Sequence, residues 1–322
     1  MRLKCVAAAL ALLALCCGAF AQGAADKTIR IIVGYPAGGP GDIMARQVAV
    51  DMTQILKQPV IVDNKSGASG NIAADYVAQS APDGNTLLFA AHTHLVNPIL
   101  MDKVRYDPIK DFTPVSLVSN FPAVLLTGPQ SPYSSVADVV KAARESPGKL
   151  SYASAGIGSS GHLGGALFET LSGTRMQHVP FRGNSLAIVD VIGGRVDFMF
   201  IPMAGVAQMA AQKQVKVLAV GMASRHPDFV GVPTMVEAGY PAFVDTVAWM
   251  GILAPAHTPP AIVERLQNAI HQSLNTPQTR DRVRELGAVA VPDSSAEFRE
   301  FLEKDTLRWS RLIEVAGVKN KQ

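Results

Sequence analysis

The chain has 322 residues, 48% of them hydrophobic and 6% aromatic, with 29 Lys+Arg against 26 Asp+Glu. That balance, with no basic run, leaves no electrostatic footprint for nucleic acid. All three cysteines (Cys5, Cys16 and Cys17) sit near the N-terminus, so beyond them thiol catalysis, disulfides and cysteine metal sites are excluded.

The cysteines fall inside a targeting segment. Arg2 and Lys4 precede an apolar stretch from Val6 to Cys17, and Ala19-Phe20-Ala21 is a small-residue cleavage site. This is the layout of a secretory signal peptide over residues 1–21, with cleavage expected after Ala21 and the mature chain in the periplasm. No later segment is apolar over the ~18 residues a membrane helix needs. The remaining length suffices for one large or two medium domains without covalent staples.

From there strand and helix patterns alternate. A β-branched run, Ile29 to Val33, ends in a loop holding Gly34, Gly38, Gly39 and Gly41, and Asp42 is read as the cap of a helix reaching Leu56. Met44, Val48, Met52, Ile55 and Leu56 share one face of that helix. Val60 to Val62 is a second strand. A second glycine loop, Ser66 to Gly70, leads into a helix from Ile72 to Gln79. A turn at Pro82-Asp83-Gly84-Asn85 precedes a third strand, Thr86 to Ala91, ending at His92-Thr93-His94. Phe112 to Gly128 reads as one long strand that leaves one sheet and enters another.

The alternation then restarts. A helix spans Val136 to Glu145, a strand Leu150 to Ala155, and a glycine loop from Gly156 to His162 opens a helix to Leu171. Strands are expected at Gln177 to Phe181, Val196 to Ile201 and Val215 to Val220, with short helices between. Phe243 to Leu253 is a second long extended segment, placed to cross back, and helices follow at Pro260 to Leu274, Thr279 to Leu286 and Ser295 to Val315. Such alternation implies parallel sheets covered by helices. Two runs joined by two extended crossings imply two lobes with a hinge: residues 22–120 with 247–322, and residues 121–246. The fold class is therefore α/β, with two doubly wound sheets joined by two extended hinge crossings.

In doubly wound sheets ligands sit at the C-terminal strand ends. Glycine loops followed by helix starts put unpaired N–H groups and a partial positive charge there, which suits an anion. Gly156-x-Gly158-x-x-Gly161 has the spacing of a dinucleotide fingerprint, but the next strand ends in Pro180-Phe181-Arg182 with no acid, and the fingerprint needs one. No cofactor is expected. Ser159 and Ser160 lack the G-x-S-x-G setting of a nucleophile elbow. His92 and His94 on a strand could hold a metal together with His162; the alternative is one histidine lining the cleft and one packed, and no metal is assigned. Arg182 stands at a strand end where a guanidinium could pair with a carboxylate.

Several stretches resemble the periplasmic solute receptors of tripartite tricarboxylate transporters, the Bug family. They are Tyr35-Pro36-Ala37-Gly38-Gly39-Pro40-Gly41-Asp42, then Val62 to Ala74, Ala81-Pro82-Asp83-Gly84, Ser159-Ser160-Gly161-His162-Leu163, His178-Val179-Pro180-Phe181-Arg182-Gly183 and Gly193-Gly194-Arg195-Val196-Asp197. The resemblance runs in order along the whole mature chain. It implies a two-lobed receptor that closes on a small organic acid (a di- or tricarboxylate, an amino acid or an aromatic acid) and delivers it to membrane transporter subunits. By position, it implies ligand contacts from Tyr35, Ala37, Gly38, Gly39, Asp42, Ser69, His92 and Thr93 in the first lobe. The second-lobe contacts would be Ser154, Gly158, Ser159, Ser160, His162, Arg182, Gly183 and Pro202. The family often has a glycine and a proline just after the Phe-Arg-Gly stretch; here Asn184 and Ser185 stand instead, changing the cleft wall. A monomer is expected. An exported hydrolase or isomerase acting on an organic acid, or a sensory module for a membrane signalling partner, would use the same shape.

Overall fold

The computed structural model describes residues 28–101, 103–203, 205–226, 229, 231–245 and 248–315. The predicted signal peptide and its cleavage site lie outside them, as does the 246/247 lobe boundary.

Two sheets organise the chain. In the first, β1 (Ile29–Val33) pairs in parallel with β2 (Val60–Asn64) and with β3 (Thr86–Ala91). Next to β3 lies β10 (Ala248–Pro255), antiparallel to it and to β4 (Phe112–Phe121), and β11 (Val289–Ala290) closes the edge. In the second, β6 (Ser151–Ser154) pairs in parallel with β7 (Gln177–Pro180) and β8 (Phe198–Pro202). There β5 (Ala123–Thr127) runs antiparallel to β8 and β9 (Lys216–Val220).

The sheets are thus mixed rather than purely parallel. The chain leaves the first lobe along β4, turns over at Pro122 and enters the second along β5; it returns along β10. A strand leaving a lobe and one entering it point opposite ways, so β10 runs against both of its neighbours. The return crossing is also shorter than the sequence suggests. Pro241–Asp245 is a 3₁₀ turn where extended backbone was expected, and the described return strand is Ala248–Pro255. The turn seats the buried Phe243 ring on Phe200, with centroids 5.0 Å apart.

Helices cover both faces of the first sheet. On one side α1 (Pro40–Leu56) lays Met44, Val48 and Met52 on Ile29, Ile31 and Val33, beside Leu266 and Ile270 of α8 (Pro260–Leu274). Such full burial stabilises by about 1.5–3 kcal/mol per side chain. On the other side lie α2 (Asn71–Ala78), α3 (Thr93–Leu100) and α10 (Ser295–Val315). The second lobe carries α4 (Val136–Glu145), α5 (Ser160–Ser172), α6 (Asn184–Ile192) and α7 (Val206–Ala211), and α9 (Pro277–Glu285) precedes β11. One apolar core runs between the lobes, joining Ile32, Leu95 and Trp309 to Leu163, Phe168 and Phe200.

Candidate functional site: two glycine-loop edges

The parallel strands of each lobe end on a common edge. In the first lobe the edge is made by the loops after β1, β2 and β3. The Tyr35 hydroxyl lies 2.6 Å from Thr93 Oγ1, tying the first loop to the third. Burial pushes the Tyr35 phenol up, partly offset by this bond. Between them, Ala68 (φ 46°) and Ser69 (φ 55°) are left-handed without being glycine, a strained turn that its surroundings must hold. The hold is a chain of amides: Asn97 donates to the Ser69 carbonyl at 3.0 Å and to Asn71 Oδ1 at 2.8 Å, and the Tyr106 hydroxyl donates to the same oxygen at 2.9 Å.

The first loop is clamped from below. Helix α1 starts at Pro40, so its N-cap is Gly39, not Asp42. Asp42 stands at the third helical position, nearly fully buried, and reaches back to accept the Gly38 N–H at 2.9 Å. It also accepts from Arg46 Nε at 2.9 Å and Asn64 Nδ2 at 2.8 Å. Burial pushes this carboxyl up, but the Arg46, Gly38 and Asn64 bonds outweigh it and hold it below the ordinary carboxylate range. Asp42 is therefore a brace under the loop, and the Gly38 N–H is aimed at that brace. Tyr35, Ala37, Gly38 and Gly39 form the loop itself, with Ala37 and Gly38 exposed at its tip.

Because the folded pKa of Asp42 is depressed, its stabilisation is complete above the ordinary carboxylate range and is lost as pH falls through the folded value. Asp42→Asn is expected to remove about 2 kcal/mol at neutral pH, the scale of hydrogen bonds to a charged group. Urea unfolding followed from neutral into acid checks this: the wild type should lose stability through the carboxylate range, and the variant should run flatter.

The two histidines that flank Thr93 part company. Residues 93–100 are helical, so His92 and His94 do not share a strand face. His94 stacks on Tyr106 at 5.0 Å, meets Phe112 edge-on and pairs through Nε2 with the Pro108 carbonyl at 3.0 Å. His92 tilts against Trp309 at 5.6 Å, with both ring nitrogens buried and unpartnered among the described residues. Burial takes each imidazole down to about 4; Arg308 lowers His92 further, whereas the Pro108 carbonyl and Asp107 partly offset the shift in His94. His162 packs elsewhere again, on His178. The three do not converge, so the metal reading has no geometric support here.

The second lobe repeats the design. Ser159 is the N-cap of α5, accepting the His162 N–H at 3.3 Å and donating to the Gly156 carbonyl at 2.7 Å. Ser154 is fully buried; its hydroxyl accepts the Gly156 N–H at 3.1 Å and lies 2.7 Å from His178 Nε2. The Gly158 N–H donates to His162 Nδ1 at 3.1 Å. Ser154, Ser159 and His162 thus shape the loop, while Ser160 begins the helix at the edge. Arg182 follows β7, exposed and without an ion pair among the described residues, and Gly183 (φ 121°) caps α6. Pro202 ends β8, opposite Ala123 at the crossing. Asp197 accepts from the Ser151 N–H and hydroxyl, each at 2.8 Å, a structural role.

The end of α3 in the first lobe approaches the second-lobe glycine loop. A Cβ added to Gly158 would stand 2.8 Å from Leu100 Cδ1, at the end of α3 in the other lobe. The chain matches the family model described as tripartite tricarboxylate transporter family receptor over residues 44–318.

The chain belongs to that receptor family.

Among its relatives are the Bordetella pertussis protein BugT, 33% identical over 297 residues (92% of this chain, 91% of BugT), and a protein from the tcbD–tcbE intergenic region of Pseudomonas sp. strain P51. The latter is 36% identical over 289 residues, covering 89% of this chain and 86% of that one. Similar solved structures include MatC from Rhodopseudomonas palustris with bound malate (31% identity, TM-score 0.76, covering 89% of this chain and 98% of that one). A second R. palustris protein, solved with adipate, is 32% identical with a TM-score of 0.79, covering 90% and 97%. The fold is the two-lobed one of periplasmic binding proteins, as in BugD (TM-score 0.77).

Several receptor residues escaped the sequence reading. The Asn97, Asn71 and Tyr106 chain behind Ser69, the Arg46 and Asn64 partners of Asp42, and His178 under His162 all hold loops. Asn64, Asn71 and His178 lay inside the motif stretches, which was the available signal; Asn97 and Leu100 belong to a helix that was not expected.

Proposed function

We propose that this receptor captures a small organic carboxylate between its two glycine-loop edges, closes on it by hinge bending, and delivers it to the membrane subunits of a tripartite transporter. The observation that carries the proposal is the approach of Leu100 to Gly158, which brings the two edges together. The malate and adipate of the solved relatives support a carboxylate as ligand class.

In this reading the anion is held by the Tyr35, Thr93 and Ser160 hydroxyls, by the N–H groups of Ala37, Ser69 and the α5 start, and by Arg182 with Gly183, while Gly38, Gly39 and Gly70 give the turns their shape. Pro202 and His92 line the ends of the gap, whereas Asp42, Ser154, Ser159 and His162 act from behind the loops. The receptor works as a monomer, without turnover, with its lobes at 22–120 plus 247–322 and at 121–246, after removal of residues 1–21 in the periplasm.

A thermal-shift screen of the chain from Gln22 tests this. Ligand at 100 times its Kd adds about 2.7 kcal/mol to stability, an expected shift of several degrees. A dicarboxylate should produce it and its diamide should not. An equal shift from the amide, or consumption of the acid over time, would sink the reading.

A further inference from the structure

The two glycine loops share one local geometry. Gly38 and Gly158 have φ of 81° and 78°. The residues after them, Gly39 and Ser159, are the helix N-caps, with φ and ψ of −76° and 166° against −66° and 157°. Two positions on stand Gly41 and Gly161, and then Asp42 and His162, each at the third helical position and each accepting the glycine N–H four residues back. Each lobe thus has a Gly-x-x-Gly-acceptor loop whose first glycine N–H is held by the acceptor side chain. A side chain at the third helical position facing back to the cap region is the geometry of a capping box, here displaced to the glycine before the cap.

We infer that His162 is a positioning residue: its Nδ1 lone pair fixes the orientation of Gly158 and so the face that the second lobe presents to Leu100, as Asp42 fixes Gly38 in the first. The inference rests on the ligand-capture reading only for its effect on affinity. The two braces differ in chemistry. Asp42 is an ionised acceptor neutralised by Arg46. His162 accepts only while Nδ1 is unprotonated, because an imidazolium offers donors at both nitrogens.

The ring is 8% exposed and stacks on His178, centroids 4.0 Å apart at 20°. His178 in turn meets Tyr152 at 5.0 Å and Ser154 Oγ at 2.7 Å. Burial raises the Tyr152 phenol, and Glu169, on the same helix as His162, raises it further; Glu169 also accepts the Met176 N–H at 2.6 Å. Across the gap, Leu100 brings no charge. Beneath the loop, then, the two glycine N–H groups end on a histidine nitrogen (Gly158) and on a hydroxyl beside a second histidine (Gly156). A proton added at His162 Nδ1 removes the acceptor of Gly158 and puts a cation against the His178 ring.

The test has two arms. In the ligand-free receptor, the Gly158 amide and the His162 ring nitrogens are followed together by ¹⁵N NMR as the pH is lowered from about 8 until the His162 ring takes up its proton. The expected result is a large amide shift that tracks protonation of His162. In His162→Asn, whose side-chain oxygen can accept at every pH, the amide should stay put. At fixed neutral pH, adipate and malate binding are measured by calorimetry. His162→Phe keeps a stacked ring without an acceptor and should bind about tenfold more weakly, while His162→Asn should stay within about threefold. Melting temperatures show that each variant folds. A Gly158 amide that ignores His162 protonation, or a His162→Phe receptor that binds as tightly as wild type, overturns the inference. If neither acid binds the wild type, the carboxylate reading fails for these ligands, and the amide titration still decides the role of His162.

Discussion

Gly158→Val is expected to weaken ligand binding by about tenfold or more while leaving the receptor folded. Two effects act, one on the stability of the loop and one on closure. The backbone at Gly158 is left-handed (φ 78°), where a β-branched residue costs roughly 1–2 kcal/mol or more. The new Cβ would also stand 2.8 Å from Leu100 Cδ1 on the opposite lobe, so the Leu100 side chain must turn away or the edges must part to admit the branched side chain. The first effect is local to the second lobe; the second acts only when the lobes close. Calorimetry with the acid found by the stability screen measures the loss, and small-angle scattering should show the ligand-bound variant staying extended. Pairing Gly158→Ala with Leu100→Ala should recover part of the affinity. Unchanged affinity in Gly158→Val would mean that this loop does not sit at a closing interface.

Asp305→Ala should be the most destabilising single substitution of those considered. Asp305 is 3% exposed and accepts the indole N–H of Trp249 on β10 at 2.7 Å and of Trp309 on α10 at 2.8 Å; its other oxygen pairs with Arg308. Burial lifts its pKa above the ordinary range in spite of these bonds, and an intact buried ion pair adds little net stability because desolvation offsets its attraction. Cutting it is another matter. Removing the carboxylate strands Arg308, whose Nη1 already lacks a partner among the described residues, together with two buried N–H groups. Loss of one partner of a buried pair costs about 3–5 kcal/mol. Urea unfolding monitored by tryptophan fluorescence gives the number directly. Asp305→Leu combined with Arg308→Leu should cost clearly less than Asp305→Ala, because no charge is left behind; an equal cost would move the effect from electrostatics to packing.

Local patterning was enough to place most elements. The run Ile29–Val33, the 3.6-residue spacing of Met44, Val48 and Met52, and the glycine loops marked strand, helix and edge within a few residues. The crossing at Phe112 to Gly128 was legible because it was too long and apolar for a loop, and Pro122 divides it as a sheet change requires. What stayed hidden depended on tertiary contacts. Thr93–Leu100 is β-branched at Val96 and Ile99 and holds Pro98, all unfavourable to a helix, yet Leu95 and Val96 bury fully and fix it. Strand direction at β10 follows from the return of the chain, which no short window contains.

The site was legible as an edge and not as a set of contacts. Pro40 was the missed clue in the first lobe: proline favours the first helical position, which makes Gly39 the cap and sends Asp42 inward. In the second lobe, Gly158 and Ser159 looked like ligand donors by type, but side chains from their own lobe take up the Gly158 N–H and the Ser159 hydroxyl. Only geometry separates a donor that faces solvent from one that faces its own helix.

The place of β10 has a consequence for how the chain matures. It fills the slot between β3 and β4, yet it is made only after every strand of the second sheet. The second sheet can assemble from one continuous stretch, while the first holds an open slot until its last long strand arrives. Pairing partners so distant along the chain assemble slowly, and an unpaired β3 edge is the form most exposed to wrong partners. A nascent chain emerging N-terminus first would therefore complete its later half before its earlier one, and the first lobe would stay uncommitted until nearly all of the polypeptide is available.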